Sequence, residues 1–166
     1  EASESNASCP ADCFAKCYGA AEICKRDFFD VFLAGTHNSD VSYYYPTYDS
    51  VIGFFNTNQS KSLTKQLDDG IRYLALDIDY CDPVSDTGSI CLCHGEDTCL
   101  IGGWPADQEA LGKPGGLQEI RTWLDANPSE VIVLSFESYL SYSDLVAVLR
   151  RTGIDRDAYH LPVTPP

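Results

Sequence analysis

An α/β protein with a parallel sheet is the fold that this sequence predicts, because strand-like and helix-like segments alternate from residue 28 onwards. The clearest strand is the branched apolar run from Val131 to Glu137, and a second such run covers 71–78. Leu117, Ile120 and Leu124 recur at helical spacing and predict an amphipathic helix just before the strand at 131–137. Alternating strands and helices are typical of parallel sheets.

The elements are expected in the order strand, loop and helix, strand, strand, helix, strand, helix. Their predicted bounds are 30–35, 62–69, 71–78, 90–94, 117–126, 131–137 and 143–151. Gly70 and Gly153 are the predicted helix stops, because glycine readily takes the backbone conformation that ends a helix. Ser143 is the predicted N-cap of the last helix. The segment 102–116 is interpreted as a glycine-rich loop.

Composition indicates one ordinary globular domain that does not bind nucleic acid. The chain has 166 residues, 44% of them hydrophobic, with a formal net charge of -14 and a pI of about 4.3. Such an acidic chain repels phosphate backbones and anionic membranes, and no Lys/Arg cluster offsets this. Its longest apolar runs are far too short to span a bilayer, so no transmembrane segment is expected. We divide the chain into an N-terminal extension, 1–27, and a main domain, 28–166.

The cysteines favour a disulfide-bonded, secreted protein. Eight are present, in an early group and a middle group: Cys9, Cys13, Cys17, Cys24, Cys81, Cys91, Cys93 and Cys99. The early spacing does not match a C-x₂-C zinc pattern, whereas an even count is typical of disulfides formed in an oxidising compartment. We expect at least one disulfide joining Cys81 to segment 91–99 or to the extension. Sequons at Asn6 and Asn58 agree with a secreted glycoprotein.

Reactive side chains end each predicted strand. His37 and Asn38 follow the first, Asp77 ends the second, His94 the third and Glu137 the fourth. Because the carboxyl ends of parallel barrel strands meet at one face, we expect these side chains to line one cavity. Histidine exchanges protons near neutral pH, and amide and carboxylate oxygens suit calcium or magnesium. A metal beside two histidines fits phosphoryl transfer.

Four ordered motifs carry a resemblance to a known family. They are Gly35-Thr-His-Asn-Ser39, Gln66-Leu-Asp-Asp-Gly-Ile-Arg-Tyr-Leu-Ala-Leu-Asp77, Cys93-His-Gly95 and Leu124-Asp-Ala-Asn-Pro-Ser-Glu-Val-Ile-Val-Leu-Ser-Phe-Glu137. Over about residues 28–160 the chain resembles the X region of phosphatidylinositol-specific phospholipase C, and is nearest to secreted, cysteine-containing eukaryotic members. The resemblance implies a TIM barrel, of which this chain supplies roughly the first half, about four parallel strands with their helices.

The resemblance also implies residue roles. His37 corresponds to the catalytic histidine near the attacking inositol hydroxyl, and His94 to the one that protonates the departing glyceride oxygen. Asn38, Asp77 and Glu137 correspond to Ca²⁺ ligands of the metal-dependent branch. The metal-independent branch has an arginine at the position of Asp77, which excludes its mechanism here.

Two departures from the family pattern weaken the enzyme prediction. Ala75 stands where the metal-dependent branch has a further carboxylate, and Asp79 is the nearest candidate to replace it. The chain is also shorter than the roughly 250 residues of a complete barrel, so we expect a second polypeptide or a second copy to complete it. Weak calcium binding at most is expected.

The predicted function is that of a secreted phosphoric diester hydrolase, leaning towards an active enzyme of lipid metabolism that cleaves a phosphoinositide-like phospholipid. The alternative is a catalytically impaired relative that serves as a binding or structural subunit of a larger assembly. A glycerophosphodiester phosphodiesterase is disfavoured, because its paired acidic signature after the second strand is not evident. The precise substrate does not follow from this sequence.

Overall fold

The computed structural model describes residues 22–45, 57–81, 89–94 and 101–159. The strands are β1 (Gly35–Thr36), β2 (Tyr73–Tyr80), β3 (Ile90–His94), β4 (Ile101–Pro105) and β5 (Val133–Ser138). The α-helices are α1 (Leu63–Asp68), α2 (Gly116–Ala126) and α3 (Tyr142–Thr152), with short 3-10 turns at Ile23–Lys25, Phe28–Asp30 and Ile154–Asp157. Most of the predicted N-terminal extension lies outside the described residues, as do Asn6, Cys9, Cys13, Cys17 and Cys99.

The strands form one mixed sheet centred on β2. β1 and β5 are parallel to β2, whereas β3 is antiparallel to β2 and β4 is antiparallel to β3. The α/β class is therefore confirmed, but the prediction that the third strand is parallel was wrong. Only residues 81–89 connect β2 to β3, and a parallel crossover needs a dozen or more residues. So short a connection suits an antiparallel neighbour.

β4 was not predicted, because its Gly102 and Gly103 were interpreted as part of a loop. Glycine and proline are depleted in strands, so propensity argues against this one. Tertiary packing overrides it: Trp104 is buried, stacks on Tyr45 and donates its ring N–H to the carbonyl of Pro114 at 2.9 Å. The hairpin of β3 and β4 is thereby attached to the core.

Two element boundaries also differ from the prediction. The first strand is reduced to Gly35–Thr36, since the apolar residues before it begin with a 3-10 turn. The last helix is capped by Ser141 rather than Ser143, and the Ser141 hydroxyl accepts from the N–H of Asp144 at 3.2 Å. Gly153 ends that helix as predicted, with a left-handed φ of 74°.

The two faces of β2 have different surroundings. Leu74, Leu76 and Ile78 are fully buried in one apolar cluster with side chains of all three helices. Gly116 allows α2 to approach closely, because a Cβ there would lie 2.4 Å from Leu92 Cδ1. Since strand side chains alternate, Ala75, Asp77 and Asp79 lie on the opposite face.

Arg72, the residue before β2, anchors the amino-terminal end of this strand. Its guanidinium pairs with Glu130 at 2.9 Å, donates to the carbonyl of Leu67 at 2.7 Å and lies 4.9 Å from the ring centre of Trp123. The side chains of Arg72 and Glu130 are each only 8% exposed. Arg72 thus braces the base of the sheet, five positions along the strand from Asp77.

A disulfide joins Cys81, just after β2, to Cys91 in β3, which confirms the predicted link between Cys81 and segment 91–99. Cys93 is disulfide-bonded as well. The first of these bonds ties the β3–β4 hairpin to the end of β2. Among the described residues, no helix combines the length and apolarity needed to cross a membrane.

Candidate active site

The turn after β1 places the first pair of predicted site residues. The Thr36 hydroxyl donates to Gln66 of α1 at 2.7 Å, and the Ser39 amide donates to the carbonyl of Ala75 at 2.8 Å. Asn38, between them, is buried and has φ 48°, a left-handed conformation that asparagine tolerates better than most residues. His37 is exposed, and its carbonyl accepts from the side-chain amide of Gln59 at 2.8 Å.

The second predicted histidine contacts a predicted metal ligand directly. Nδ1 of His94 lies 2.5 Å from Oδ2 of Asp77. β3 runs antiparallel to β2 and pairs with it as far as Ile78–Leu92, and the register between β3 and β4 shifts between Leu92 and His94. The His94 side chain is 43% exposed, whereas that of Asp77 is 6% exposed. A buried carboxylate therefore orients a ring that reaches solvent.

This pairing determines what the imidazole can do. An ionised carboxylate only accepts hydrogen bonds, so Nδ1 of His94 donates and Nε2 is the nitrogen left to exchange a proton with a reactant. A histidine held in one orientation by a carboxylate is a common arrangement for general acid–base catalysis. The Asp77–His94 pair is thus chemically suited to proton transfer.

Glu137 lies beside Asp77 on the neighbouring strand. The two are partners in the parallel register of β2 and β5, so both point to the face opposite the helices. Glu137 is exposed, and its Oε1 accepts from the Tyr139 hydroxyl at 2.5 Å. The face shared by β2 and β5 is therefore acidic at this level.

Asp40 is a site residue that the sequence did not single out. It is 1% exposed, its Oδ1 lies 3.4 Å from the backbone nitrogen of Asp77, and its Oδ2 has no hydrogen-bond partner among the described residues. Burial raises the pKa of Asp40 to about 7, against the opposing effect of a backbone hydrogen bond and with a smaller contribution from the charge of Asp77. The feature of the sequence that could have identified Asp40 is its position three residues after the predicted catalytic His37.

The predicted calcium ligands suit the ion in kind but are few in number. His94 engages one oxygen of Asp77 and Tyr139 engages one of Glu137, while Ala75 contributes none. Within 22–45, 57–81, 89–94 and 101–159, no three His, Cys, Asp or Glu side chains are arranged to hold a metal. Calcium takes about 6–8 oxygens, so most of its shell would come from elsewhere.

Asp79, the predicted replacement for the missing carboxylate, is buried. Its Oδ1 accepts from the N–H of Tyr80 at 2.7 Å, which occupies one of its two carboxylate oxygens. In the register of β2 and β3 it lies opposite Cys91. The structure thus brings together Asp77, His94 and Asp40, with Glu137 beside them and the turn at His37 and Asn38 next to β2.

Comparisons with known proteins identify the family of this chain. The family model PI-PLC X matches residues 23–164. PI-PLC X domain-containing protein 1 of Arthroderma benhamiae is 31% identical over 118 residues, which are 71% of this chain and 32% of that relative. The chain thus spans about a third of the length of the relative it matches. No solved structure matches it significantly. This chain belongs to the PI-PLC X domain family.

Proposed function

We propose that this chain is part of a secreted phosphoric diester hydrolase of the phospholipase C type. The observation that carries the proposal is the 2.5 Å contact between His94 and the buried Asp77, next to the turn that holds His37. A solvent-reaching imidazole oriented by a buried carboxylate is suited to protonating a leaving group. The membership of the chain in the PI-PLC X domain family supports the same chemistry.

The proposed reaction is an intramolecular displacement on a phosphoinositide-like phospholipid. His37 takes the proton of an inositol hydroxyl, whose oxygen forms a new bond to phosphorus. The bond from phosphorus to the glyceride oxygen breaks, and Nε2 of His94 gives that oxygen a proton. One proton is taken up and one is released, so the step balances.

Calcium is proposed as a weakly bound cofactor of this reaction. Asn38, Asp77 and Glu137 would hold it, and it would offset negative charge on the phosphate oxygens. Because the protein offers few ligands, water and substrate would complete the shell.

A second polypeptide, or a second copy of this chain, is proposed to complete the barrel. Among the described strands, β5 pairs with β2 alone, so its other edge carries backbone groups suited to a further strand. Tyr73, on the face opposite the helices, is 37% exposed. The disulfide between Cys81 and Cys91 supports secretion, since such bonds persist in oxidising compartments.

The test is hydrolysis of phosphatidylinositol vesicles by the naturally produced protein, with release of water-soluble inositol phosphate as the readout. His94→Ala should lower the rate about 10²- to 10⁴-fold, the usual contribution of a general acid. His160→Ala is the matched control, because no role is proposed for that histidine. Equal rates for wild type and His94→Ala would refute the proposed role of His94.

A second candidate is a non-catalytic subunit that kept the fold. Ala75 favours it, since the corresponding carboxylate of the metal-dependent branch is absent. Vesicle binding without any release of inositol phosphate, in wild type and in both histidine variants alike, would support this candidate over the enzyme.

A further inference from the structure

We infer that Asp40 is a positioning residue that holds Asp77 where it accepts from His94. The catalytic meaning of this inference rests on the proposed function, but the geometry does not. Asp40 reaches neither histidine directly by a hydrogen bond in the described structure. It acts on β2, and through β2 on the imidazole.

The reason lies in how the edge of β2 is paired. β1 is only two residues long and pairs with Tyr73 and Leu74, whereas β3 begins to pair at Ile78. Between them, the backbone groups of β2 on this edge need other partners. The turn after β1 supplies them: the Ser39 amide donates to the carbonyl of Ala75 at 2.8 Å, and Asp40 Oδ1 faces the Asp77 N–H at 3.4 Å.

The turn itself is held firmly, so the carboxylate has little freedom to move. The Val41 amide donates to the carbonyl of Asn38 at 3.0 Å, and the Ser42 amide donates to that of Asp40 at 2.9 Å. Val41 and Ser42 are also buried. The turn that carries Asp40 is thus held by backbone hydrogen bonds and by the burial of the two residues that follow it.

A carboxylate is an energetically unfavourable side chain at this buried position. Burying an ionisable acid, with one oxygen that has no hydrogen-bond partner among the described residues, costs more free energy than burying a neutral amide or an apolar side chain of similar size. Buried polar atoms without partners are uncommon and call for an explanation beyond stability. Asp40 lies against the backbone of the very residue that orients His94, and a role in positioning that pair accounts for its presence.

Three variants of the naturally produced protein test the inference. Asp40→Leu keeps the size but removes the acceptor, and should lower kcat roughly 10- to 100-fold with KM changed less than about twofold, as expected when a catalytic group is misplaced. Asp40→Asn keeps an acceptor oxygen and should recover most of that loss. If Asp40→Leu does not fold, Asp40→Ser replaces it.

The third variant shows whether Asp40 acts through Asp77. In an Asp77→Ala background, Asp40→Leu should have little further effect on kcat, because the positioned carboxylate is already gone. A full, multiplicative loss in that background would overturn the inference, as would an Asp40→Asn protein no more active than Asp40→Leu.

A readout independent of turnover separates this inference from the proposed function. In ¹⁵N-histidine-labelled protein at a pH where the imidazole of His94 is neutral, its signals, assigned with His94→Gln, should show one tautomer protonated at Nδ1 in wild type and in Asp40→Asn. Asp40→Leu should show a mixture of tautomers. Identical His94 signals in wild type and Asp40→Leu would overturn the inference even if the protein hydrolyses lipid. A wild type without hydrolysis but with the expected signals would refute only the proposed function.

Discussion

Replacing Arg72 by methionine is expected to destabilise the protein severely, because the ion pair between Arg72 and Glu130 is buried. The variant removes the guanidinium from Glu130, whose side chain is 8% exposed, so a carboxylate remains in a site with little water. Breaking a buried ion pair by removing one partner typically costs about 3–5 kcal/mol. The carbonyls of Leu67 and Ile71 each lose a donor as well. Since whole domains are stable by about 5–15 kcal/mol, such a loss is large.

The assay is urea denaturation, with the midpoint and the slope followed by circular dichroism. Lys61→Met is the matched control, because Lys61 pairs with Asp69 on the surface, where their side chains are 53% and 48% exposed. An exposed pair contributes about 0–1 kcal/mol. A second variant, Arg72→Met with Glu130→Gln, removes both charges and should recover part of the loss.

A stabilising role for the buried Arg72–Glu130 pair is refuted if Arg72→Met costs no more free energy of unfolding than Lys61→Met at equal denaturation slopes. It is also refuted if the double variant is less stable than Arg72→Met alone, since the loss would then not come from the buried charge of Glu130. Either result would mean that the buried ion pair with Glu130 does not account for the contribution of Arg72 to stability.

Three further predictions concern the site. Asp40→Asn should raise the free energy of unfolding by on the order of 4 kcal/mol above pH 7 and by little below pH 3.8. Burial makes the ionised form of Asp40 unfavourable and so raises its pKa to about 7, and the resulting loss of stability grows as pH rises from 3.8 to about 7. A gain independent of pH in thermal unfolding would contradict this. Replacing Cys81 and Cys91 together by serine should cost about 3 kcal/mol by the loop-entropy relation and lower lipid hydrolysis, as measured by denaturation and vesicle assay; unchanged stability would argue against it. Ala75→Glu should tighten calcium binding measured by calorimetry, since it adds charge and a ligand; tight binding by the natural protein without any gain in the variant would mean that the ligands are wrongly assigned.

The sequence predicted the helices and the central strands well, because their apolar periodicity and caps are local signals. α1 begins after Ser62, whose hydroxyl accepts from the Lys65 amide, and α2 ends at Ala126, as the following Asn127-Pro128 indicated. β4 was missed because its two glycines weaken a strand signal that only the packing of Trp104 restores. The local sequence pattern carries no information about that tertiary packing.

The sequence predicted several residues of the candidate site, but not which of them contact one another. A strand-end argument identified His94 and Asp77, yet it assumed parallel strands, whereas His94 reaches Asp77 because β3 runs back along β2. Asp40 was not predicted, since an aspartate in a polar turn looks like any surface residue. Its burial depends on β1 being short enough to leave a gap beside β2, which is a property of the assembled sheet.

The separation of the two faces of β2 gives the residues of this strand different tolerance of substitution. Substitutions at Leu74, Leu76 or Ile78 alter the apolar cluster and are expected to destabilise the fold. Substitutions at Ala75 alter the opposite face and leave that cluster intact. Position 75 can therefore carry or lack a carboxylate while the apolar cluster stays the same. The chemistry of this face can be changed by substitution without rebuilding the scaffold that supports it.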